Sequence, residues 1–322
     1  MDGSRNLTND MSLCVSYPRL LMSTFFLTSG CFGFVINLGT AFAISRCKSY
    51  TLCTRYLLVT QCLCNLVQAL VYAGYLGPIL AIGRDSVYSQ STIPRLGVVL
   101  WSSESQYLMT AIAVQRFATA CLKSATTRIT AKTGAIAVAG TILLALTMTL
   151  LIYLAYGHGY FCVCAMAWAG WKFGGTAPLT LAVNQIRTVT STVTVSVTVL
   201  SYAGLLLVTW RASLHSSVAP VPATAALRTK LKFHVTVQVM VLAALRLAHA
   251  VLINQWLMKS VTYLDSTTLI LLFESLKVVI MLSDPLILAS FSRELRKCMA
   301  EMMPRKQTHT FVSLIKIHNA HS

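Results

Sequence analysis

Long apolar stretches alternate with short polar ones along the whole chain: Leu20–Ser45, Arg55–Ile82, Leu96–Cys121, Gly134–Tyr156, Leu179–Trp210, Lys232–Leu257 and Leu264–Ser290. A helix needs about 20 mostly apolar residues to cross the hydrocarbon core of a bilayer, so each stretch predicts a membrane span, numbered 1 to 7 here. Span 5 is the least regular. Asn184, Gln185 and Arg187 lie near its start, and the Thr/Val-rich run 188–200 would favour strand in water. In lipid the backbone must bond within its own segment, which predicts helix there too. The polar first 19 residues do not resemble a cleaved signal peptide, so span 1 is expected to act as the targeting signal. No 20–50-residue repeat or duplicated half is present, which counts against transporter folds built from internal repeats.

Composition strengthens the membrane reading. Of 322 residues, 56% are hydrophobic and only 11% charged, with a mean hydropathy of +0.68. Soluble domains carry about 25% charged residues, so a soluble globular enzyme is excluded. The net charge of +17 falls unevenly. Arg46, Lys48 and Arg55 follow span 1; Lys123, Arg128 and Lys132 follow span 3, with Arg116 just inside its end; Arg211, Arg228 and Lys230 follow span 5, with Lys232 entering span 6. The tail adds Arg293, Arg296, Lys297, Arg305, Lys306 and Lys316. The opposite side holds only Arg5, Arg19, Arg84, Arg95, Lys172, Arg187 and Lys259. The richer side is predicted to be cytoplasmic, with the amino terminus outside a plasma-membrane, multi-pass protein. Asn6-Leu7-Thr8 is a glycosylation sequon on the predicted outer side, marking Asn6 as a glycoprotein acceptor.

The expected layout is an extracellular segment 1–19, a seven-span domain 20–290 and a cytoplasmic tail 291–322. In the tail, Phe291, Leu295, Met299 and Met302–Met303 share one face of a short amphipathic helix, with basic residues on the other, lying on the inner leaflet. Cys298 on that helix is a candidate for palmitoylation, against an unmodified thiol.

Several span ends carry recognisable residues in order. Span 1 has Gly33-Phe-Val-Ile-Asn37; span 2 has Leu63-Cys-Asn65-Leu66; span 3 ends Ala113-Val-Gln115-Arg116-Phe117; span 7 ends Ser283-Asp284-Pro285-Leu-Ile-Leu288. Together these resemble the rhodopsin-like class of G-protein-coupled receptors, with an all-α bundle of seven transmembrane helices. Arg55-Tyr-Leu-Leu-Val, His234-Val-Thr-Val-Gln238 and Arg293-Glu-Leu-Arg-Lys297 are similar to segments of odorant receptors, especially the divergent fish-type group. The resemblance implies a chemosensory receptor whose partners are a small-molecule odorant, a heterotrimeric G protein and the lipid bilayer. It assigns coupling and activation to Asn37, Asn65, Gln115, Arg116, Phe117, Tyr202, Asp284 and Pro285.

Four departures stand out. The family's span-2 Asp and span-7 Asn are exchanged, as Asn65 and Asp284, leaving one carboxylate in the expected polar cluster. Asp284 then reads either as a cation or proton site or as a protonated, hydrogen-bonded carboxyl, because an isolated carboxylate at membrane depth is costly. Gln115 cannot form the ion pair an acid would make with Arg116, and the alternative for Arg116 is an ordinary snorkelling arginine. Leu288 replaces the usual Tyr, with Tyr202 the remaining hydroxyl nearby in type. Span 6 lacks both Trp and Pro between Val235 and Ile253. The family also ties the outer end of span 3 to the second outer loop by a disulfide. No cysteine lies in 84–96, so the tether is missing or rerouted through Cys14 with Cys162 or Cys164. The Cys162-Val-Cys164 pair, with only His158 beside it, makes a poor metal site.

Charged groups inside spans are expensive and point to function. Glu104 in span 3, Arg246 and His249 in span 6, and Glu274 and Lys277 in span 7 are such groups. With Trp101, Ser102, Ser103, Tyr107, Asn184, Gln185 and Arg187 they outline a ligand pocket in the outer half, suited to a small polar or anionic ligand. The other reading is structural: Glu274 and Lys277 neutralise each other at i, i+3, and Glu104 pairs with Arg246 or His249. No catalytic motif is present, no metal or other cofactor is implied, and basic residues split among short loops do not suit nucleic acid. A seven-span transporter or channel, or a non-olfactory receptor of the same fold, is the alternative function.

Overall fold

The computed structural model describes residues 16–48, 50–82, 93–121, 130–156, 160–162, 167–169, 177–216, 241, 244 and 266–302. Each span that falls within them is helical, and spans 1 to 5 run longer than their apolar stretches. Span 1 is Ser16–Arg46, span 2 Leu52–Ile82, span 3 Ile93–Cys121, span 4 Ala131–Tyr156, span 5 Ala177–Ser216 and span 7 Ser266–Phe291. The overhang is physical: helical hydrogen bonding continues into the polar boundary layer after the apolar run has ended. Of span 6 only Val241 and Ala244 are described, both helical, so Arg246 and His249 lie outside the described residues. So do Asn6, Cys14 and Cys164.

Local chemistry explains the helices that looked doubtful. In span 5 the threonine hydroxyls donate to carbonyls four residues back: Thr192 to Thr188 at 2.8 Å, Thr194 to Thr190 at 2.9 Å and Thr198 to Thr194 at 2.7 Å. The β-branched run thus hides its own polar groups without leaving the helix. Span 2 starts at Thr51, whose hydroxyl accepts the Thr54 N–H at 3.3 Å as an N-cap. Farther along, Pro78 has no N–H to offer and its ring crowds the preceding turn. The helix widens there into a π turn over Tyr72–Leu76, and the Gly77 N–H reaches back to the Tyr72 carbonyl. At that turn spans 1 and 2 meet backbone to backbone. A Cβ on Gly30 would lie 2.7 Å from the Ala73 nitrogen, and Ser23 donates to the Gly77 carbonyl at 2.7 Å. Small residues at a close helix crossing are how helices associate in lipid, where burial of apolar surface no longer drives them together.

The bundle is built around spans 2 and 3. Span 1 packs on spans 2 and 7, span 2 on spans 3 and 4, and span 3 on spans 4 and 5. An inner core gathers Ile44, Leu57, Leu108, Leu288 and Leu295, and an outer core gathers Phe26, Tyr72, Leu76 and Met281. Large apolar side chains cover the outward faces, among them Val35, Leu143, Leu150 and Leu200. Spans 1, 2, 4 and 5 are each long and apolar enough to cross a membrane.

Two features flank the bundle. Between spans 4 and 5, β1 (Tyr160–Cys162) pairs antiparallel with β2 (Ala167–Ala169), placing Cys162 opposite Ala167. This short hairpin is an addition to the expected all-helical chain. After span 7, Ser292 caps a helix over Arg293–Met302 by accepting the Leu295 N–H at 3.1 Å. Leu295 is buried against the inner core, Met299 packs beside it, and Arg296 and Lys297 are exposed, so the helix has the expected two faces.

Candidate functional site

Span 2 carries a polar stripe at Gln61, Asn65, Gln68 and Tyr72, spaced so that all four share one helical face. This face turns toward spans 3 and 7 and organises two cavities. The inner one, about 30 Å³, lies among spans 2, 3, 5 and 7. That is room for about two waters. Gln61 is its hub: its amide nitrogen donates to Ser105 Oγ at 2.6 Å and to Asp284 Oδ2 at 3.0 Å. Asn65 donates to the same Asp284 oxygen at 3.3 Å. Asp284 is thus held by two side-chain amides from span 2. Asn37 sits beside this cluster, donating to the Gly33 carbonyl at 2.8 Å and the Met281 carbonyl at 3.3 Å. Pro285, Leu288, Arg116 and Tyr202 also line the inner cavity.

Arg116 is half-buried and pairs with no carboxylate among the described residues. Its neighbour Gln115 turns away from it and donates to Thr54 Oγ1 at 3.0 Å, joining span 3 to the N-cap of span 2. Phe117 packs against Gly204 of span 5, where a Cβ would come within 2.5 Å of its ring. On the same inner end the Tyr50 hydroxyl bonds Ser292 Oγ at 2.6 Å, tying the turn between spans 1 and 2 to the cap of the tail helix. Arg55 closes that turn by donating to the Tyr50 carbonyl at 3.2 Å. Burial pushes the Tyr50 phenol up from its ordinary value, so it keeps its proton.

The outer cavity, about 70 Å³, opens among spans 3, 4, 5 and 7. Ser102, Ser103, Tyr107, Arg187 and Lys277 line it, as do Gln106 and Ser191 and the apolar Val98, Val99, Met148 and Ile152. Lys277 is buried and donates to Glu274 Oε1 at 2.8 Å, while the Tyr72 hydroxyl donates to Glu274 Oε2 at 2.9 Å. Glu274 itself stands behind the wall. The mutual neutralisation of Glu274 and Lys277 and the exposure of Lys277 to the cavity therefore occur together. Gln106 donates from the cavity wall to Ser191 at 3.2 Å and Thr194 at 2.8 Å. One turn inward, Thr110 bonds Thr198 at 2.9 Å. These bonds join spans 3 and 5 along a seam between the two cavities.

The remaining residues fall elsewhere. Glu104 is buried at the seam of spans 3 and 4, and Thr141 donates to its Oε1 at 2.8 Å. Its expected partners Arg246 and His249 lie outside the described residues. Trp101 packs against the inner core and accepts from Gln68 through its carbonyl at 3.2 Å. Asn184 and Gln185 are exposed. Cys31, Cys47, Cys53, Cys62, Cys64, Cys121 and Cys298 are not in disulfides, and Cys298 is half-buried. The residues that residue-by-residue reading overlooked are Gln61, Ser105, Gln106 and Tyr72. Three of the four stripe positions in span 2 are amides, and their helical spacing was the available signal.

No protein-family model matches the chain and no curated protein does. In three dimensions the chain is similar to squid rhodopsin, with a TM-score of 0.68 at 11% identity, over 91% of this chain and 87% of that one. The protein therefore has the seven-helix rhodopsin fold. So low an identity speaks to architecture alone.

Proposed function

We propose that the protein is a G-protein-coupled chemosensory receptor, of odorant type, in the plasma membrane. A small polar or anionic ligand enters the outer cavity and a heterotrimeric G protein engages the cytoplasmic ends of spans 3, 5 and 6. The observation that carries this reading is the pair of cavities. One is cation-bearing and sized for a small ligand; the other sets Gln61, Asn65 and Asp284 in a mostly apolar lining and ends on Arg116; the Gln106–Thr194 and Thr110–Thr198 bonds run between them. A ligand that competes for Gln106 shifts span 5 relative to span 3, and the shift reaches Tyr202 and Arg116 at the inner end. The order of the span-end motifs supports the odorant assignment. The charge distribution supports an outer amino terminus, with Asn6 glycosylated and Cys298 palmitoylated. An outer disulfide would join Cys14 to Cys162 or Cys164.

A second-messenger assay in cells tests this, with amino acids, bile acids and amines as ligand panels. The expected result is a ligand-dependent response that Arg116→Ala removes at equal surface expression. Ligand-gated ion flux without nucleotide exchange on a G protein would overturn it in favour of a transporter or channel.

A further inference from the structure

The turn between spans 1 and 2 reaches two other helices. Thr54 Oγ1 accepts a hydrogen bond from Gln115 Nε2 of span 3 at 3.0 Å, and it lies 2.9 Å from the hydroxyl of Thr51, the N-cap of span 2. Tyr50 bonds Ser292 Oγ at 2.6 Å, and that same oxygen accepts the Leu295 N–H at 3.1 Å to start the tail helix. Arg55 of span 2 fixes the turn by donating to the Tyr50 carbonyl at 3.2 Å. Both outward bonds join neutral groups, and the one to span 3 leaves Gln115 Oε1 buried with no hydrogen-bond partner among the described residues. A neutral hydrogen bond has a small net worth, and an unmet buried acceptor offsets part of it. These contacts are therefore firm enough to favour one arrangement and weak enough to give way. Beside them stands Arg116, which has no carboxylate partner among the described residues and whose charge reaches the Tyr50 phenol.

We infer that the turn Tyr50–Thr54 is an autoinhibitory clasp on the inner face. Thr54 holds span 3 through Gln115, Tyr50 holds the junction of span 7 and the tail through Ser292, and both are anchored on span 2. Neutral hydrogen bonds supply the restraint where an acid beside Arg116 would supply an ion pair. A G protein that engages Arg116 pulls on Gln115 and competes with Tyr50 for the surroundings of the guanidinium, so coupling and closure oppose each other. A contact made in only one of two states shifts the balance between them by its own net free energy. For one neutral bond that is roughly two- to tenfold. The inference rests on the receptor reading and deepens it, by naming what restrains the coupling end.

Two measurements on the full chain in lipid nanodiscs, without ligand, test this: basal nucleotide exchange on a panel of purified heterotrimeric G proteins, and hydrogen exchange of the tail-helix amides. Tyr50→Phe keeps the ring and removes the hydroxyl; Thr54→Val keeps the shape and removes the acceptor. Each is expected to raise basal nucleotide exchange roughly two- to tenfold, and the double variant to raise it further than either. Thr54→Ser restores the hydroxyl and should return the rate to that of the wild type. Tyr50→Phe should also speed hydrogen exchange in the tail helix, and Thr54→Val should not. Basal rates that are unchanged or lower in both single variants overturn the inference, as does a tail helix whose hydrogen exchange Tyr50→Phe leaves unaltered. Flat basal rates in a chain that still answers a ligand through a G protein would sink the clasp and keep the receptor reading. Faster tail-helix exchange in Tyr50→Phe, with no nucleotide exchange in any variant, would sink the receptor reading while the clasp stands as a restraint on the tail.

Discussion

In the inner cavity one carboxylate, Asp284, is held by two neutral amides, whereas in the outer cavity one ammonium, Lys277, is held by a carboxylate that a phenol holds in turn. The first arrangement surrounds one carboxyl group with amide dipoles and leaves space beside it. The second cancels charge against charge. A buried ion pair is the more fragile of the two, because losing either partner leaves a whole charge in a medium that solvates it poorly. Losing one amide removes one of several donors. The inner cluster should therefore tolerate substitution better than the outer pair does.

Substitutions can break this contrast. The largest effect is expected from Glu274→Ala, which takes the carboxylate from a buried Lys277 and should cost about 3–5 kcal/mol. Replacing both partners, Glu274→Leu with Lys277→Met, should restore most of the loss in a thermal unfolding measurement; no restoration would show that the pair is not the cause. Gln61→Leu should cost about 1–3 kcal/mol, since it strips a donor from Asp284 and another from Ser105. Adding Asp284→Leu to it should cost less than the sum of the two single changes, and strict additivity would mean that the two side chains do not interact. Gly204→Ala pushes a methyl into the Phe117 ring, and overpacking of this kind costs about 1 kcal/mol where a ring can shift. It should also change signalling at the span 3 to span 5 contact. The smallest effect on stability comes from Gln115→Glu, which exchanges one hydrogen bond to Thr54 for an ion pair with Arg116. Basal G-protein activity should fall in that variant relative to the wild type, and equal basal signalling would separate Gln115 from the resting-state restraint.

The two cavities also differ in how far they could be read from the chain. Asp284, Asn65, Asn37 and Arg116 stand out because each sits in a motif at the end or centre of a span. Gln61 carries no such mark and proves to be the residue that joins three helices. Lys277 and Glu274 are conspicuous as charges in an apolar run, and their i, i+3 spacing already allows the bond that forms. Glu104 is equally conspicuous, yet among the described residues the side chain that bonds it is Thr141, one of several hydroxyls of span 4 that nothing in the sequence singles out.

What the sequence by itself determined is whatever the bilayer demands segment by segment: the spans, the helical state of the β-branched span 5, and the two faces of the tail helix. Hydrogen bonding inside lipid and the length of an apolar run are local quantities, so a local pattern suffices to read them. The tertiary structure decided which side chains meet. That depends on how each helix is rotated about its axis. Span 2 widens from Tyr72 into the π turn that Pro78 provokes, and there the Tyr72 hydroxyl meets Glu274. A shift of one residue in that turn rotates a side chain by roughly 100°, and no pattern within span 2 records the position of a carboxylate on span 7.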